Sequence, residues 1–154
     1  MELQYFLDPD LWIRLGMSVL CGFIVGIERQ IHRKPIDVRT SVLVCIGTMM
    51  FIYLGEQLDG SKDSTRVLGQ VATGIGFLGA GAIFTREGLV IGLTSASVVW
   101  VLASIGAAIG FGMYETGLVV SLVTVFVLSG LHSVDQITER WMKKKADSAE
   151  RLHG

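Results

Sequence analysis

Long uncharged runs of mostly apolar residues alternate with short charged segments along the 154-residue chain. Five runs stand out, at residues 15–27, 40–55, 67–85, 88–114 and 116–134. About 20 apolar residues in a helix cross a hydrocarbon core of roughly 30 Å; the third and fifth runs have this length, and the fourth leaves room for tilt. The pattern therefore predicts an all-α, polytopic membrane protein with five transmembrane helices.

The first run reaches spanning length if its helix begins near Leu11, which places Arg14 inside the span. A centred arginine costs about 2.5 to 3.5 kcal/mol on insertion scales. Near the end of the helix, the long side chain can extend to the lipid headgroups instead. We therefore predict that Arg14 lies close to the outer end of the first helix.

The distribution of basic residues between the loops predicts how the helices are oriented. With the N-terminus outside, ten of the thirteen Lys and Arg residues fall in the inner segments, and the outer segments hold Lys62 and Arg66. Because cytoplasmic loops are enriched in Lys and Arg, this count predicts an external N-terminus and a cytoplasmic C-terminus. Trp12, Tyr53 and Tyr114 then lie at the outer interface, as in an aromatic belt.

Residues 1–134 are predicted to form one membrane domain, and residues 135–154 a cytoplasmic tail. At the start of this tail, apolar residues recur at helical spacing beside the basic cluster at 143–145. Such a segment resembles an amphipathic helix on the membrane surface, where each basic residue adds about 1 kcal/mol of attraction to an anionic leaflet. The alternative is a simple positive stop signal after the last span.

Composition narrows the functional class. Hydrophobic residues make up 51% of the chain and charged residues 18%, with a mean hydropathy of +0.56, which excludes an ordinary soluble enzyme. A net charge of −1 provides no basic surface of the kind that binds nucleic acid. Cys21 and Cys45 lie within apolar runs, and we predict that they are reduced packing residues.

Glycines are frequent within the apolar runs. Residues 74–79 match the pattern G-x-G-x-x-G, but no strand of a βαβ unit precedes them, so we expect no dinucleotide site. We predict instead that Gly74, Gly76, Gly79 and Gly81 let neighbouring helices pack closely. The alternative is that the third helix unwinds there and offers backbone carbonyls to a cation.

Three further glycine pairs follow the spacing G-x-x-x-G: Gly22 with Gly26, Gly88 with Gly92, and Gly106 with Gly110. Pairs of this kind let two membrane helices approach closely. Three such faces exceed what contacts within one five-helix bundle require. We therefore predict that the protein is a homodimer in the lipid bilayer.

Polar side chains within or beside the spans are the candidate functional residues, because the bilayer makes them costly. Besides the glycine run, they are Glu28, Arg29, Arg39, Thr40, Asp63, Arg66, Gln70, Thr94 and Trp100. Asp63 stands where it would cap the third helix, and Glu28 and Asp63 are the candidate metal ligands. The span interiors contain no Asp, Glu, His or Lys, so we predict no catalytic residue and no cofactor, and leave Mg²⁺ as a ligand or transported ion.

Glu28 and Arg39 flank the short inner loop between the first two helices, which must run antiparallel. An acidic group at an inner helix end stands where cations are favoured, so we predict that it pairs with a specific partner. Arg39 is the predicted partner, and Arg29 is the competitor. The alternative is that both charges are hydrated at the headgroup level, where an exposed pair contributes about 0 to 1 kcal/mol.

Several stretches, taken in order, resemble the MgtC/SapB family of bacterial inner-membrane proteins. They are residues 25–30 (VGIERQ), 38–40 (VRT), 66–71 (RVLGQV), 74–81 (GIGFLGAG), 86–88 (REG), 92–94 (GLT), Trp100 and residues 105–106 (IG). The ordered set covers roughly residues 12 to 130 and is more specific than any one of its motifs.

The resemblance implies a five-helix domain with an external N-terminus in the bacterial inner membrane, and a role in magnesium homeostasis and growth at low magnesium. It leaves two functions open. The protein either transports Mg²⁺ or is a non-transporting regulatory module that binds another membrane complex, such as ATP synthase or a P-type transporter. Neither function is enzymatic.

Overall fold

The computed structural model describes residues 8–59, 61–86 and 89–130. Five helices lie in these ranges: α1 (Pro9–Ile31), α2 (Val38–Asp59), α3 (Ser61–Gly81), α4 (Leu93–Gly110) and α5 (Tyr114–Gly130). The helical fold class and the number of helices are therefore confirmed. The predicted amphipathic tail of residues 135–154 lies outside the described residues.

The first two helices begin at aspartates that satisfy free backbone N–H groups. Asp8 caps α1, where its Oδ1 accepts a hydrogen bond from the N–H of Asp10 at 3.0 Å and Pro9 occupies the first helical position. Asp37 caps α2, where its Oδ1 accepts from the N–H of Thr40 at 2.9 Å. Aspartate as a cap and proline at the first position are both typical of helix starts.

Three helices are long and apolar enough to cross a membrane: α1, residues Val38–Gln57 of α2, and α4. The described part of α5 is also apolar, but it is shorter. The first half of α3 carries Lys62, Asp63, Arg66 and Gln70, which lower its hydropathy. The protein is therefore a membrane protein by its helices, and the full set of five spans stays a prediction.

Between α3 and α4 the chain forms a short antiparallel hairpin, β1 (Phe84–Arg86) and β2 (Leu89–Ile91). The prediction that uncharged spans continue to residue 85 and restart at residue 88 is therefore wrong. Aromatic and β-branched residues are dense in this segment, and they favour strands over helix. Absence of charge predicted the apolar character of the segment but not its secondary structure.

Gly92 follows the hairpin and has a backbone φ of +98°, in the left-handed region. A side chain at this position would also collide with the carbonyl oxygen of Ala82. Glycine is therefore required here by the turn that starts α4. The predicted helix-packing role of the Gly88 and Gly92 pair is wrong, because Gly92 lies in this turn and not on a helix face.

Close contact between α1 and α2 depends on two glycines of α1. A methyl group at Gly26 would lie 2.6 Å from Cα of Val38, and one at Gly22 would lie 2.7 Å from Cα of Val42. Carbon atoms do not approach this closely, so only glycine lets the two backbones meet here. The order of these contacts sets α1 antiparallel to α2 and confirms the packing role predicted for this pair.

The pair Gly106 and Gly110 brings α4 against α2 in the same way. A methyl group at Gly106 would lie 2.5 Å from the carbonyl oxygen of Cys45, and one at Gly110 would lie 2.7 Å from Cβ of Ile52. Because residue numbers rise together along the contact, α2 and α4 run parallel. The packing role predicted for this pair is confirmed.

The interior between α1, α2 and α4 is filled by apolar and small side chains. Those with no exposed surface include Cys21, Val25, Cys45, Met49, Ile52, Leu102 and Ile105. Both cysteines are free thiols, in agreement with their predicted role in packing. Cavities in such an interior are costly, so these side chains fix the distances between the helices.

The glycine run of α3 behaves differently. A methyl group at Gly74, Gly76 or Gly81 would meet no atom of the described residues within 4 Å, and one at Gly79 would make ordinary contact with α4, 3.6 Å from the carbonyl oxygen of Ala96. Within residues 8–59, 61–86 and 89–130 of one copy, this run therefore does not make the predicted close packing; contacts with a second copy stay a prediction. The helix is also continuous from residue 61 to 81, so the alternative of a broken helix is not what the structure contains.

We expect Gly26→Ala and Gly106→Ala each to destabilise the protein by about 1 to 3 kcal/mol, because the added methyl groups would collide with the backbone of α2. Gly76→Ala is the control, since its methyl group meets no neighbour and alanine is the better helix former. Unfolding in detergent micelles, followed by tryptophan fluorescence, measures the difference. Equal losses in all three variants would contradict this packing scheme.

Candidate functional site

Two consecutive charged residues are buried at the last turn of α1. Glu28 exposes 6% of its surface and Arg29 exposes 3%. Nη2 of Arg29 donates a hydrogen bond to Oγ of Ser95 at 3.0 Å, and its Nη1 lies 3.9 Å from Oε2 of Glu28. Ser95 lies in the first turn of α4, so this contact joins the ends of α1 and α4.

The carboxylate of Glu28 also contacts His32, which directly follows α1. Nδ1 of His32 lies 3.0 Å from Oε1 of Glu28 and 2.9 Å from the main-chain oxygen of the same residue. Two buried atoms, Oε2 of Glu28 and Nε of Arg29, make no hydrogen bond within the part of the chain that the structure describes. An unpaired buried polar group costs about 1 to 3 kcal/mol and is rare, so we take this cluster as the candidate functional site.

The predicted ion pair between Glu28 and Arg39 is wrong. The carboxylate of Glu28 lies within ion-pair distance of Arg29, which was the competing prediction, and it contacts the ring of His32. Arg39 is exposed and lines a separate groove beside Ile27. Consecutive residues of a helix point about 100° apart, so Glu28 faces α4 while Ile27 faces the groove that Arg39 borders.

A cavity of about 400 Å³ opens beside the charged cluster. Its walls come from the end of α1, the loop after it, the start of α4 and the described end of α5. They are formed by Glu28, Arg29, His32, Lys34, Pro35, Ile91, Gly92, Thr94, Ser95, Val127 and Leu128. The cavity brings together three of the predicted site residues, Glu28, Arg29 and Thr94.

Thr40, Gln70 and Gly74 line a second cavity of about 580 Å³ between α2 and α3, whose walls are mostly apolar. Thr40 is fixed by Asp37, which accepts hydrogen bonds from its N–H and from its hydroxyl, both at 2.9 Å. These bonds lower the pKa of Asp37 below its usual value. The stability that they contribute is present above that usual value and is lost as the pH falls through the lowered one.

The other predicted residues lie away from the charged cluster. Arg66 is exposed on α3, and Trp100 is exposed on the outside of α4. The side chain of Asp63 lies outside the described residues. Across residues 8–59, 61–86 and 89–130, no three His, Cys, Asp or Glu side chains are grouped as metal ligands.

The opposite end of the bundle holds a charged network that the sequence did not predict. Arg14 donates hydrogen bonds to Oδ2 of Asp10 at 2.7 Å, to Oε2 of Glu56 at 2.8 Å and to the carbonyl oxygen of Gly110. The hydroxyl of Tyr114 donates to the other oxygen of Asp10 at 2.6 Å. This network joins α1, α2, α4 and α5.

Arg14 lies near the N-terminal end of α1. Its side chain turns into the bundle and does not extend to the lipid headgroups as predicted. Its side chain is 12% exposed, and Cζ lies 5.1 Å from the centre of the Tyr53 ring. The hydroxyl of Tyr53 in turn donates to Asp8 at 3.0 Å. A signal was present in the sequence, because Asp10 stands four residues before Arg14, the helical spacing of an ion pair.

Comparison with known proteins gives a consistent family match. The sequence model of the MgtC family matches residues 15–137. A protein of Escherichia coli K12 named "Putative magnesium transporter YhiD" is 39% identical over 86% of this chain and 64% of its own length. "Protein SrpB" of Synechococcus elongatus is 33% identical over 96% of this chain and 88% of its own length.

"Protein MgtC" of Brucella abortus is 34% identical over 81% of this chain and 52% of its own length. The chain therefore spans about two thirds of the length of the E. coli relative and about half that of the Brucella relative. No solved structure matches the chain.

We expect Ser95→Ala to destabilise the protein by about 1 to 3 kcal/mol, because it removes the acceptor for Nη2 of the buried Arg29. Ser97→Ala is the matched control, since its exposed hydroxyl bonds the carbonyl oxygen of Leu93 in its own helix. Thermal unfolding of the two variants in one detergent measures the difference. A loss of the same size in both would count against the contact between α1 and α4.

Proposed function

Because the chain belongs to the MgtC family, we propose that it acts in magnesium homeostasis as a regulatory membrane protein that binds another membrane protein. Three described helices are long and apolar enough to cross a membrane, and a relative at 39% identity carries the name "Putative magnesium transporter YhiD". The proposed action is binding, and no enzymatic step enters it.

The packed apolar interior is the observation that supports regulation over conduction. Between the Arg14 network and the Glu28 cluster, the centre of α1, α2 and α4 is filled by side chains such as Val25, Met49 and Leu102. Mg²⁺ dehydrates reluctantly and keeps several waters in most protein sites. A hydrated ion would have to displace these side chains to pass through a single copy of the bundle.

The open face of α3 is the surface that we propose for the partner. Gly69 and Gly76 are seven residues apart and so share one face of α3, where an added methyl group would meet no atom of the described residues within 4 Å, and Phe77 next to Gly76 is exposed. Small residues on such a face allow a second membrane helix to approach closely. The proposed partner at this face is a larger membrane complex, such as ATP synthase or a P-type transporter, and a second copy of the chain in the predicted homodimer is the alternative occupant.

Transport of Mg²⁺ is the second candidate function, and the name of the E. coli relative favours it. The path would then run between copies of the chain or along the surface of α3, where Gln70 is exposed. The two candidates differ in one measurable property, which is the flux of Mg²⁺ through a membrane that contains the purified protein and nothing else.

We expect liposomes that contain the purified protein and an enclosed Mg²⁺ dye to show the same Mg²⁺ entry as empty liposomes. In cells, Gly76→Leu should slow growth at low magnesium and reduce co-purification of the partner, because the new side chain fills the open face of α3. Gly16→Leu on α1 is the matched control, since Gly16 also faces open space. Mg²⁺ entry above that of empty liposomes would overturn regulation in favour of transport.

We also propose that the protein lies in the bacterial inner membrane with its N-terminus outside and its C-terminus in the cytoplasm. The excess of Lys and Arg in the predicted inner segments supports this orientation, and the parallel arrangement of α2 and α4 supports a crossing by α3 between them.

Alkaline phosphatase fused after Gly154 should therefore be inactive, because its disulfides form only outside the cytoplasm. A matched fusion of a cytoplasmic reporter at the same residue should be active. The reverse pair of results would refute this orientation.

A further inference from the structure

The first turn of α4 opens into the cavity beside the Glu28 cluster. Gly92 is the N-cap residue of this 18-residue helix. Because glycine has no side chain, it offers no side-chain acceptor for hydrogen bonds from the N–H groups of the first turn. The main-chain oxygen of Gly92 accepts from the N–H of Ala96 at 2.9 Å, which leaves the N–H groups of Leu93, Thr94 and Ser95 without helical acceptors. These groups and the helix dipole favour an anion at this end of α4.

Arg29 provides a second, independent indication of a ligand. Its guanidinium is almost completely buried and already contacts the first turn of α4 through Ser95. Its Nε has no hydrogen-bond partner in the described structure, although the residue lines the cavity. Lys34 adds a second cation to the wall, on a segment that is exposed.

The carboxylate of Glu28 determines which class of anion the cavity can bind. Its Oε1 contacts His32, and its buried Oε2, which lies 3.9 Å from Nη1 of Arg29, accepts no hydrogen bond in the described structure and can only act as an acceptor. A carboxylate or sulfate ion at neutral pH offers no proton to this oxygen and would be repelled by it. The second pKa of a phosphate monoester is near 6 and that of inorganic phosphate is higher, so near neutral pH each can keep a proton and offer a P–OH donor together with acceptor oxygens.

We propose that this cavity binds a phosphate group that carries a P–OH. The phosphoryl oxygens accept from the first turn of α4, from Arg29 and from Lys34, and the P–OH donates to Oε2 of Glu28. The cavity volume of about 400 Å³ is in the range of small-molecule sites. It is larger than a bare phosphate ion, so it can hold either inorganic phosphate or the phosphate group of a monoester. The site does not depend on the proposed role in magnesium homeostasis.

Equilibrium dialysis of the full chain in phosphate-free detergent against labelled inorganic phosphate tests this proposal. We expect saturable binding that unlabelled phosphate displaces and that sulfate at equal ionic strength does not. Lys34→Gln should raise the dissociation constant for phosphate about fivefold or more, because it removes one cation from the cavity wall. Arg39→Gln is the matched control, since Arg39 is an exposed cation near the same loop that does not line the cavity, and it should change the constant less than about twofold.

Nanodiscs distinguish the source of the phosphate group. If binding requires a lipid, phosphatidic acid, which is a phosphate monoester, should protect the wild type but not Lys34→Gln against thermal unfolding. Phosphatidylglycerol, a diester without a P–OH, should give no such difference. Glu28→Gln should lose the preference for phosphate over sulfate, provided that its circular dichroism matches that of the wild type.

Binding of inorganic phosphate or of phosphatidic acid with these properties supports the site. The proposal is overturned if neither ligand binds, if sulfate competes as well as phosphate, or if Arg39→Gln weakens binding as much as Lys34→Gln. Lys34 is exposed and outside the helices, so its replacement tests the site even where variants of the buried Arg29 do not fold.

Discussion

The structure depends on the close approach of α2 to its two neighbours, which four glycines make possible. Gly22 and Gly26 place α1 against α2, and Gly106 and Gly110 place α4 against α2. With both helices this close to α2, the end of α1 comes within hydrogen-bond distance of the start of α4, where Arg29 meets Ser95. The charged cluster is thus a consequence of the close backbone packing of α1 and α4 against α2.

The two ends of the bundle treat a buried arginine in opposite ways. Arg14 is surrounded by two carboxylates and a main-chain oxygen, so its donors are well supplied with acceptors. Arg29 has one hydroxyl acceptor and a carboxylate at 3.9 Å, and its Nε has no hydrogen-bond acceptor among the described residues. A network with no unpaired buried atom among the described residues stabilises the fold, whereas one with unpaired atoms next to a cavity is suited to bind a ligand.

Much of the fold could be predicted from the sequence, because spacing alone determines which glycines share a helix face. The pairs at 22 and 26 and at 106 and 110 pack as predicted, and five helices were expected. The hairpin at 84–91 was missed because absence of charge does not distinguish a strand from a helix. The partner of Glu28 was missed because loop length brings two helix ends together without fixing which way their side chains turn.

The packing of the glycine run of α3 cannot be predicted from its motif alone. Its four glycines were predicted to allow close packing like the pairs of α1 and α4, yet an added methyl group at most of them would meet no described atom within 4 Å. A glycine in a helix destabilises it by about 0.5 to 1 kcal/mol relative to alanine unless a close contact offsets the loss. Gly74, Gly76 and Gly81 make no such contact within the described structure, so the offset would have to come from a neighbour outside this single copy, such as another helix in the bilayer.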